Sequence, residues 1–140
     1  YKYITFLRDP ISRVYSYYNM LKKYDYVPGH ELAKKSLADL LINSSHVKNL
    51  YCQYFSGMPF ETVNNEIYEI ALNNLRKFLF VGKFEDFGNS FNRMCSTLDL
   101  KIDSTLHINK NNYLEINEDQ KKLIISYNNF DIKLYNEFFN

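Results

Sequence analysis

Two short runs of apolar and aromatic residues constrain the fold more than any other feature of this sequence. They occupy residues 3–7 (Tyr-Ile-Thr-Phe-Leu) and 78–81 (Phe-Leu-Phe-Val), and signals for a helix follow each run. Such short apolar runs are typical of strands that are covered on both faces. Because a strand followed directly by a helix is the repeating unit of parallel sheets, the sequence predicts an α/β fold with parallel strands.

Two strands make an incomplete sheet, which bears on the extent of the domain. A length of 140 residues fits a single domain. The chain opens at Tyr1, next to the first apolar run and without an initiator Met. We therefore expect residues 1–140 to form one partial domain, with the remaining strands of the sheet before Tyr1.

Capping signals and helical periodicity predict that most of the remaining chain is helical. Asp9 is a favoured N-cap and Pro10 a favoured first helical residue, so a helix is expected from there to about Lys23. Asn117, with Gln120 three residues later, forms a capping-box pattern at the start of a last helix that runs to the chain end. Other helices are expected over residues 31–42, 45–55, 62–77 and 84–98, and irregular structure over residues 99–115.

Charge and composition argue against several functional classes. Seventeen basic and sixteen acidic side chains nearly cancel, so no basic surplus argues for binding to nucleic acid. No apolar run approaches the roughly 20 residues that span a bilayer. Cys52 and Cys95 are too few for a disulfide scaffold, and two buried free thiols are favoured over a single bridge. An anion bound by this chain has to be held by a few placed residues rather than by a diffuse positive field.

The sharpest local feature is the junction between the first strand and the first helix, residues 6–18 (Phe-Leu-Arg-Asp-Pro-Ile-Ser-Arg-Val-Tyr-Ser-Tyr-Tyr). Arg8 stands at the carboxyl end of the strand, where open α/β sheets bind their ligands. The helix start adds unpaired N–H groups, and an arginine presents a fork of donors that matches phosphate oxygens. Ser16 lies on the polar face of the helix, one turn after Ser12, where a hydroxyl is placed to donate to the same phosphate. The alternative is structural: Arg8 pairs with a carboxylate, Asp9 only caps the helix, and the serines face solvent.

This junction resembles the 3′-phosphate-binding motif of PAPS-dependent sulfotransferases. It is most similar to the carbohydrate branch that contains the heparan sulfate 2-O- and 6-O-sulfotransferases. In that family a strand ends in Arg-Asp-Pro, and a serine follows eight residues after the arginine. Here those positions are Arg8, Asp9, Pro10 and Ser16. The resemblance implies that Arg8 and Ser16 bind the 3′-phosphate of PAPS (3′-phosphoadenosine 5′-phosphosulfate), while Asp9 and Pro10 shape the turn.

Four further stretches resemble the family in the same order along the chain, although each is weak alone. They are similar to its mid-domain helix, its strand with a Val-Gly turn, its loop before the last helix and its Asp-x-x-Leu-Tyr ending. They cover residues 49–57, 80–87, 107–110 and 131–135. The resemblance implies a P-loop-like sulfotransferase fold, with an incomplete parallel sheet and a mostly helical carboxyl-terminal portion.

The function implied by the resemblance is transfer of a sulfuryl group from PAPS to a hydroxyl of a glycan acceptor, without a metal. In the family, the lysine that binds the 5′-phosphosulfate and the catalytic histidine lie upstream of Arg-Asp-Pro, so no catalytic residue is expected in this chain. Gly82-Lys83 is a poor substitute for that phosphate loop, because the earlier glycine is missing and Phe84 replaces its Ser or Thr. If the source is a eukaryote, the resemblance implies an enzyme of the Golgi lumen on an upstream membrane anchor.

The three histidines carry no metal-ligand spacing. His30 and His46 stand near helix starts and are interpreted as structural or surface residues. His107 lies in the stretch that resembles the family's loop on the cofactor side. His107, Asn109 and Lys110 therefore either approach PAPS or are ordinary polar loop residues.

Two non-catalytic functions stay open as alternatives. One is a nucleotide-binding module that kept the 3′-phosphate pocket and lost the base and the lysine. The other is a helical interaction domain in which Arg8 is only an ion-pair partner. Adenosine 3′,5′-bisphosphate, the desulfated product of PAPS, separates them because it stabilises only a domain that has the pocket. A P-loop kinase fits poorly, since its phosphate loop is absent from this sequence.

Overall fold

The computed structural model describes residues 1–101 and 115–140. It is a mixed α/β structure, mostly helical, with two short strands, β1 (Ile4–Leu7) and β2 (Phe80–Lys83). The α-helices of the described residues are α1 (Pro10–Lys23), α2 (His30–Lys35), α3 (Leu37–Asn43), α4 (Leu50–Ser56), α5 (Asn65–Leu75), α6 (Phe87–Thr97), α7 (Glu118–Tyr127) and α8 (Asn129–Phe139). Short 3-10 turns cover Ser45–Val47 and Phe84–Asp86. Within the described ranges, no helix is long and apolar enough to cross a membrane.

The two strands are parallel, as the sequence predicts, with Ile4 opposite Phe80 and Leu7 opposite Lys83. One face of the sheet packs through Leu7 against α4, α5 and α8. The other face packs through Phe6 and Phe80 against α6. A separate apolar cluster joins α1, α2, α3 and α7. The pair is therefore covered on both faces, which is the usual condition of parallel strands.

Helix α1 begins as the sequence predicts. Asp9 is its N-cap, with a carboxylate that accepts a 2.8 Å hydrogen bond from the N–H of Ser12, and Pro10 is its first residue. The buried residues of α1 are Pro10, Val14, Tyr15, Tyr18 and Leu21. Ser12 is exposed and Ser16 is half-buried. The division of this helix into an apolar and a polar face is confirmed.

Three predicted helices are interrupted at polar residues, so those predictions of continuous helix were wrong. The helix expected over residues 31–42 is divided at Ser36, which has an extended backbone and caps α3 with its hydroxyl. The helix expected over residues 45–55 is a 3-10 turn followed by α4, because Asn49 has a φ of 45°. The last helix is divided at Asn128 into α7 and α8. Polar side chains at these breaks bond backbone groups that a continuous helix would use, and apolar periodicity does not report that competition.

Helix starts follow the capping residues. α5 starts at Asn65, three residues later than predicted, because the side chain of Asn64 caps it. α6 starts at Phe87, after a 3-10 turn. The capping box of Asn117 and Gln120 is confirmed at the start of α7. The capping box therefore predicted the start of α7, whereas the Asn64 cap of α5 was not recognised in the sequence.

Strand β2 lies two residues later than the predicted run 78–81, and Gly82 is inside it rather than at its end. A Cβ atom on Gly82 would lie 2.6 Å from Cδ1 of Phe6 and 2.8 Å from Cε1 of Phe80. The missing side chain therefore makes room for two aromatic rings on the sheet. Gly82 is a packing residue in a strand, which differs from the conformation of a phosphate loop.

We expect Gly82→Ala to lower the free energy of unfolding by about 1–3 kcal/mol, because the added methyl group overpacks the ring contacts. Urea denaturation measures this change. Gly88→Ala is the matched control, since a Cβ at Gly88, near the start of α6, meets no atom within 4 Å. That variant should be more stable than the wild type by about 0.5–1 kcal/mol, because Ala is the better helix former. Equal effects of the two substitutions would contradict the packing role of Gly82.

The two cysteines are free thiols in the core. Cys52 and Cys95 are both buried, and neither is bridged, as the sequence favours. Burial is the main cause that raises the pKa of the Cys52 thiol, with the nearby carboxylate of Asp131 acting in the same direction. This thiol therefore stays protonated at neutral pH, as expected of a packing residue rather than a nucleophile.

Candidate anion-binding site

The parallel register brings the carboxyl ends of β1 and β2 to the same edge of the sheet. Because Leu7 lies opposite Lys83, the next residues, Arg8 and Phe84, are neighbours at this edge. The guanidinium carbon of Arg8 is 5.6 Å from the centroid of the Phe84 ring. This cation–π contact orients the guanidinium at the edge of the sheet, where the sequence predicts a ligand.

The backbone of Arg8 is held by Tyr51, the second residue of α4. The hydroxyl of Tyr51 accepts a hydrogen bond from the Arg8 N–H at 3.1 Å and donates one to the Arg8 carbonyl at 2.9 Å. Burial is the main cause that raises the pKa of Tyr51, and the positive charge of Arg13 opposes it. The hydroxyl is therefore protonated at neutral pH, as a group that both donates and accepts must be.

Carboxylates already pair two of the N–H groups at the start of α1, so the sequence-based expectation of unpaired donors there holds only in part. The Ser12 N–H is bonded to the Asp9 carboxylate, and the Asp9 N–H donates to Oε1 of Glu85 at 2.7 Å. The Arg13 N–H donates to the Asp9 carbonyl at 2.8 Å, and Pro10 has no N–H to offer. Carboxylates therefore use the N–H groups of Asp9 and Ser12, which leaves the Ile11 N–H and the side chains as the remaining donors at this junction within the described residues.

Arg8 and Ser16 lie on either side of the start of α1. Ser16 is six residues after Pro10, which corresponds to about 9 Å along the helix axis. The Cα–Cβ bonds of a helix tilt towards its N-terminus, so the Ser16 side chain starts out inclined towards the end of α1 that follows Arg8. Within the described ranges, no hydrogen bond engages the Ser16 hydroxyl. Arg8 thus lies before the first turn of α1 and Ser16 lies in the middle of that helix, so a joint phosphate site formed by the two stays a prediction.

The N-termini of α4 and α8 face each other and cap each other reciprocally. Oδ1 of Asn49 accepts hydrogen bonds from the N–H groups of Phe130 at 3.0 Å and Asp131 at 3.1 Å. In return, the carboxylate of Asp131 accepts hydrogen bonds of 2.9 Å from the N–H groups of Tyr51 and Cys52. Each helix start is therefore satisfied by a side chain of the other helix. This pairing fixes α4, and with it Tyr51, against α8.

Arg13 connects α1 to this pair of caps. Its Nη2 lies 3.5 Å from Oδ2 of Asp131 and 3.3 Å from Oδ1 of Asn128, and its guanidinium stacks 5.0 Å above the Tyr51 ring. Asp131 is fully buried. Burial raises the pKa of Asp131, while Arg13 and the two backbone N–H groups oppose that shift. Arg13 is consequently committed to a structural ion pair, and Arg8 is the arginine of the motif that faces the sheet edge.

A second contact network at the sheet edge involves Glu85, Tyr135 and Lys83. Oε2 of Glu85 accepts a 2.8 Å hydrogen bond from the hydroxyl of Tyr135, while its other oxygen holds Asp9. Nζ of Lys83 is 5.9 Å from the centroid of the Tyr135 ring. Burial, followed by the Glu85 hydrogen bond, raises the pKa of Tyr135, which keeps this hydroxyl protonated. Glu85 thereby connects the strand ends to α8 and fixes the turn after Arg8.

The other predicted candidates lie away from this edge or outside the described residues. His30 begins α2 and is buried, with Nδ1 2.6 Å from the carbonyl oxygen of Leu21, so it is structural. His46 lies in a 3-10 turn, where its ring meets Phe60 edge-on at 5.2 Å. The predictions for His107, Asn109 and Lys110 lie outside the described residues. In residues 1–101 and 115–140, no group of three or more His, Cys, Asp or Glu side chains is placed to bind a metal ion.

Sequence reasoning did not assign roles to three residues of this site. Tyr51 lies in the stretch 49–57, and Phe84 and Glu85 lie in the stretch 80–87, both of which are similar to the sulfotransferase family. The order of these stretches was the only signal in the sequence, because the partners of the three side chains are distant along the chain.

Comparison of the chain with protein-family models finds no match, and comparison with curated proteins finds none either. A functional proposal therefore depends on the motif resemblance and on the geometry at the carboxyl edge of the sheet. That geometry is an arginine held at its backbone and at its guanidinium, next to a helix whose polar face bears a serine.

Proposed function

We propose that this chain is the 3′-phosphate-binding half of a sulfotransferase that transfers a sulfuryl group from PAPS to a hydroxyl of a glycan acceptor. One observation carries the proposal: Arg8, at the carboxyl end of β1, leads through an Asp9-capped turn directly into the helix that bears Ser16. That arrangement is what the resemblance requires of an Arg-Asp-Pro motif. A P-loop-like sulfotransferase fold is part of the same proposal.

The residues at the sheet edge suit a phosphate dianion. The guanidinium of Arg8 supplies the charge and a fork of donors, and the hydroxyl of Ser16 supplies a further donor. The carboxylates of Asp9 and Glu85 also lie at this edge, where they accept from backbone N–H groups and keep their negative charge, so Arg8 is the residue that has to supply the positive charge for the phosphate. The side chains present therefore fit the 3′-phosphate of PAPS. When PAPS is bound, it supplies the sulfuryl group that is transferred.

Arg8 and Ser16 act by binding and orientation in this proposal. By holding the 3′-phosphate, they fix the donor relative to the acceptor hydroxyl, and fixed geometry is a large part of the rate gain in group transfer. By resemblance, the base that receives the acceptor proton and the lysine that binds the 5′-phosphosulfate belong upstream of an Arg-Asp-Pro motif. The reciprocal caps of Asn49 and Asp131 support the assignment, because they join two of the stretches that resemble the family.

We expect adenosine 3′,5′-bisphosphate to stabilise the protein against heat, and 5′-AMP to stabilise it much less. A ligand at about 100 times its dissociation constant adds about 2.7 kcal/mol to the free energy of unfolding. A thermal-shift titration of the longest natural form of the chain measures both ligands under the same conditions. Equal stabilisation by the two nucleotides would contradict a 3′-phosphate site, and no stabilisation by either would favour a helical interaction domain.

A transfer assay then separates an enzyme from a nucleotide-binding module. The natural protein is incubated with PAPS and a mixture of glycans, and the formation of adenosine 3′,5′-bisphosphate is measured with and without the glycans. Glycan-dependent release supports the transferase. Binding of the bisphosphate without any glycan-dependent release would favour the non-catalytic module.

A further inference from the structure

Tyr51 stands out because both hydrogen-bonding functions of its hydroxyl go to the backbone of a single residue. The O–H donates to the carbonyl of Arg8 at 2.9 Å, and the oxygen accepts from the N–H of Arg8 at 3.1 Å. A tyrosine hydroxyl has one hydrogen to donate, so that hydrogen is used here. The hydroxyl therefore holds the backbone of Arg8, and its hydrogen is not available to a ligand.

The Tyr51 hydroxyl bonds the chain at the point where the pairing of β1 with β2 ends. The last matched pair of the two strands is Leu7 with Lys83, so Arg8 is the first residue beyond the ladder. Without the hydroxyl, the N–H and the carbonyl of Arg8 would lose their hydrogen bonds to Tyr51. The direction of the backbone at Arg8 determines where its long side chain begins, and therefore where the guanidinium can reach.

Tyr51 is itself held on three sides. Its backbone N–H donates to Oδ2 of Asp131 at 2.9 Å, and its ring lies 5.0 Å below the guanidinium of Arg13. The ring also packs near Phe55, with 6.3 Å between the two centroids. Because Tyr51 is fixed in this way, its hydroxyl holds the junction between β1 and α1 in place relative to α4.

We infer that Tyr51 is a positioning residue for the proposed 3′-phosphate site, acting by holding the backbone of Arg8 so that the guanidinium meets the phosphate. This inference rests on the proposed function. It assigns a role in ligand discrimination to a side chain whose hydroxyl is bonded to the backbone of Arg8. The Phe84 ring contacts the guanidinium of Arg8, whereas the Tyr51 hydroxyl bonds its backbone, so the two contacts act on different parts of the residue.

The test is Tyr51→Phe, which removes the hydroxyl and keeps the ring under Arg13. We expect this variant, which loses both hydrogen bonds to Arg8, to bind adenosine 3′,5′-bisphosphate about tenfold more weakly, a change of about 1.4 kcal/mol in binding free energy. The affinity for 5′-AMP should stay unchanged, because 5′-AMP lacks the phosphate that Arg8 is proposed to bind. Tyr54→Phe is the matched control, since Tyr54 is on the same helix and is 60% exposed.

Hydrogen exchange of the Arg8 amide gives a readout that does not depend on any ligand. In Tyr51→Phe the exchange of this amide should become faster, while amides within the ladder of β1 and β2 keep their protection. A general loss of stability would change all of these amides together, so the pattern separates a local role from a merely structural one.

The outcomes distinguish this inference from the proposed function. If the wild-type chain prefers the bisphosphate and Tyr51→Phe keeps the same preference, the inference is overturned and the 3′-phosphate site stands. If the wild-type chain shows no preference, the proposed function fails and the inference fails with it. A tenfold loss that is specific to the bisphosphate, together with faster exchange at Arg8, supports both.

Discussion

Arg8→Ala is expected to abolish the preference for adenosine 3′,5′-bisphosphate over 5′-AMP. Hydrogen bonds to charged groups contribute about 1.5–3 kcal/mol, so the bisphosphate should bind about 10- to 150-fold more weakly. Binding of 5′-AMP should change little. Isothermal titration calorimetry of both nucleotides on the wild type and the variant measures the difference.

Two further variants define what Arg8 contributes. Arg8→Lys keeps the charge but loses the planar fork of donors, so its affinity should lie between those of the wild type and Arg8→Ala. Arg76→Ala is the control for the loss of a cation, because Arg76 precedes β2, is largely exposed and pairs with Glu137 at 3.3 Å. If Arg76→Ala weakens the bisphosphate as much as Arg8→Ala does, the effect is general electrostatics and the site assignment is wrong.

Asp131→Ala is expected to be the most destabilising substitution considered for this chain. The variant leaves the N–H groups of Tyr51 and Cys52 without their acceptor and leaves the charge of Arg13 without its partner. Removing one member of a buried ion pair costs about 3–5 kcal/mol. Because whole domains are stable by about 5–15 kcal/mol, chemical denaturation should show a large shift or an unfolded protein.

A double-mutant cycle separates the two parts of that loss. Arg13→Met in the Asp131→Ala background removes the stranded charge, so the double variant should be less destabilised than the sum of the single changes. Asp119→Ala is the control for a lost carboxylate, because Asp119 is exposed in the first turn of α7. A loss below about 1 kcal/mol for Asp131→Ala would mean that the reciprocal caps contribute little to the fold.

The stability variant and the binding variants test different levels of the site. Asp131 acts on α4 and α8, Tyr51 acts on the backbone of Arg8, and Arg8 acts on the ligand. Each step along this series should affect binding more selectively and stability less. The affinity of folded Asp131 variants for the bisphosphate would therefore measure how much the reciprocal caps contribute to ligand binding.

Local chemistry made parts of the fold predictable. The Asp9 cap and the Asn117 capping box involve partners three residues away, so the residues that form them appear together in the sequence. The parallel pairing of the strands was predictable from the strand–helix order. Helix breaks at Ser36, Asn49 and Asn128 were not, because their apolar neighbours continue the helical pattern.

The candidate site also combines local features that the sequence predicts with long-range contacts that it does not. The sequence by itself determined that an arginine follows a buried strand, that a capped helix comes next, and that Ser16 lies on the polar face of that helix. Only the tertiary structure decided how Arg8 is held, since Tyr51 is 43 residues away, and Glu85 is 76 residues from the Asp9 N–H that it accepts. The reciprocal caps of Asn49 and Asp131 join residues 82 positions apart. Contacts within one helical turn are determined by the residues that form them, whereas contacts over such separations depend on how the whole chain packs, which a single sequence pattern does not encode.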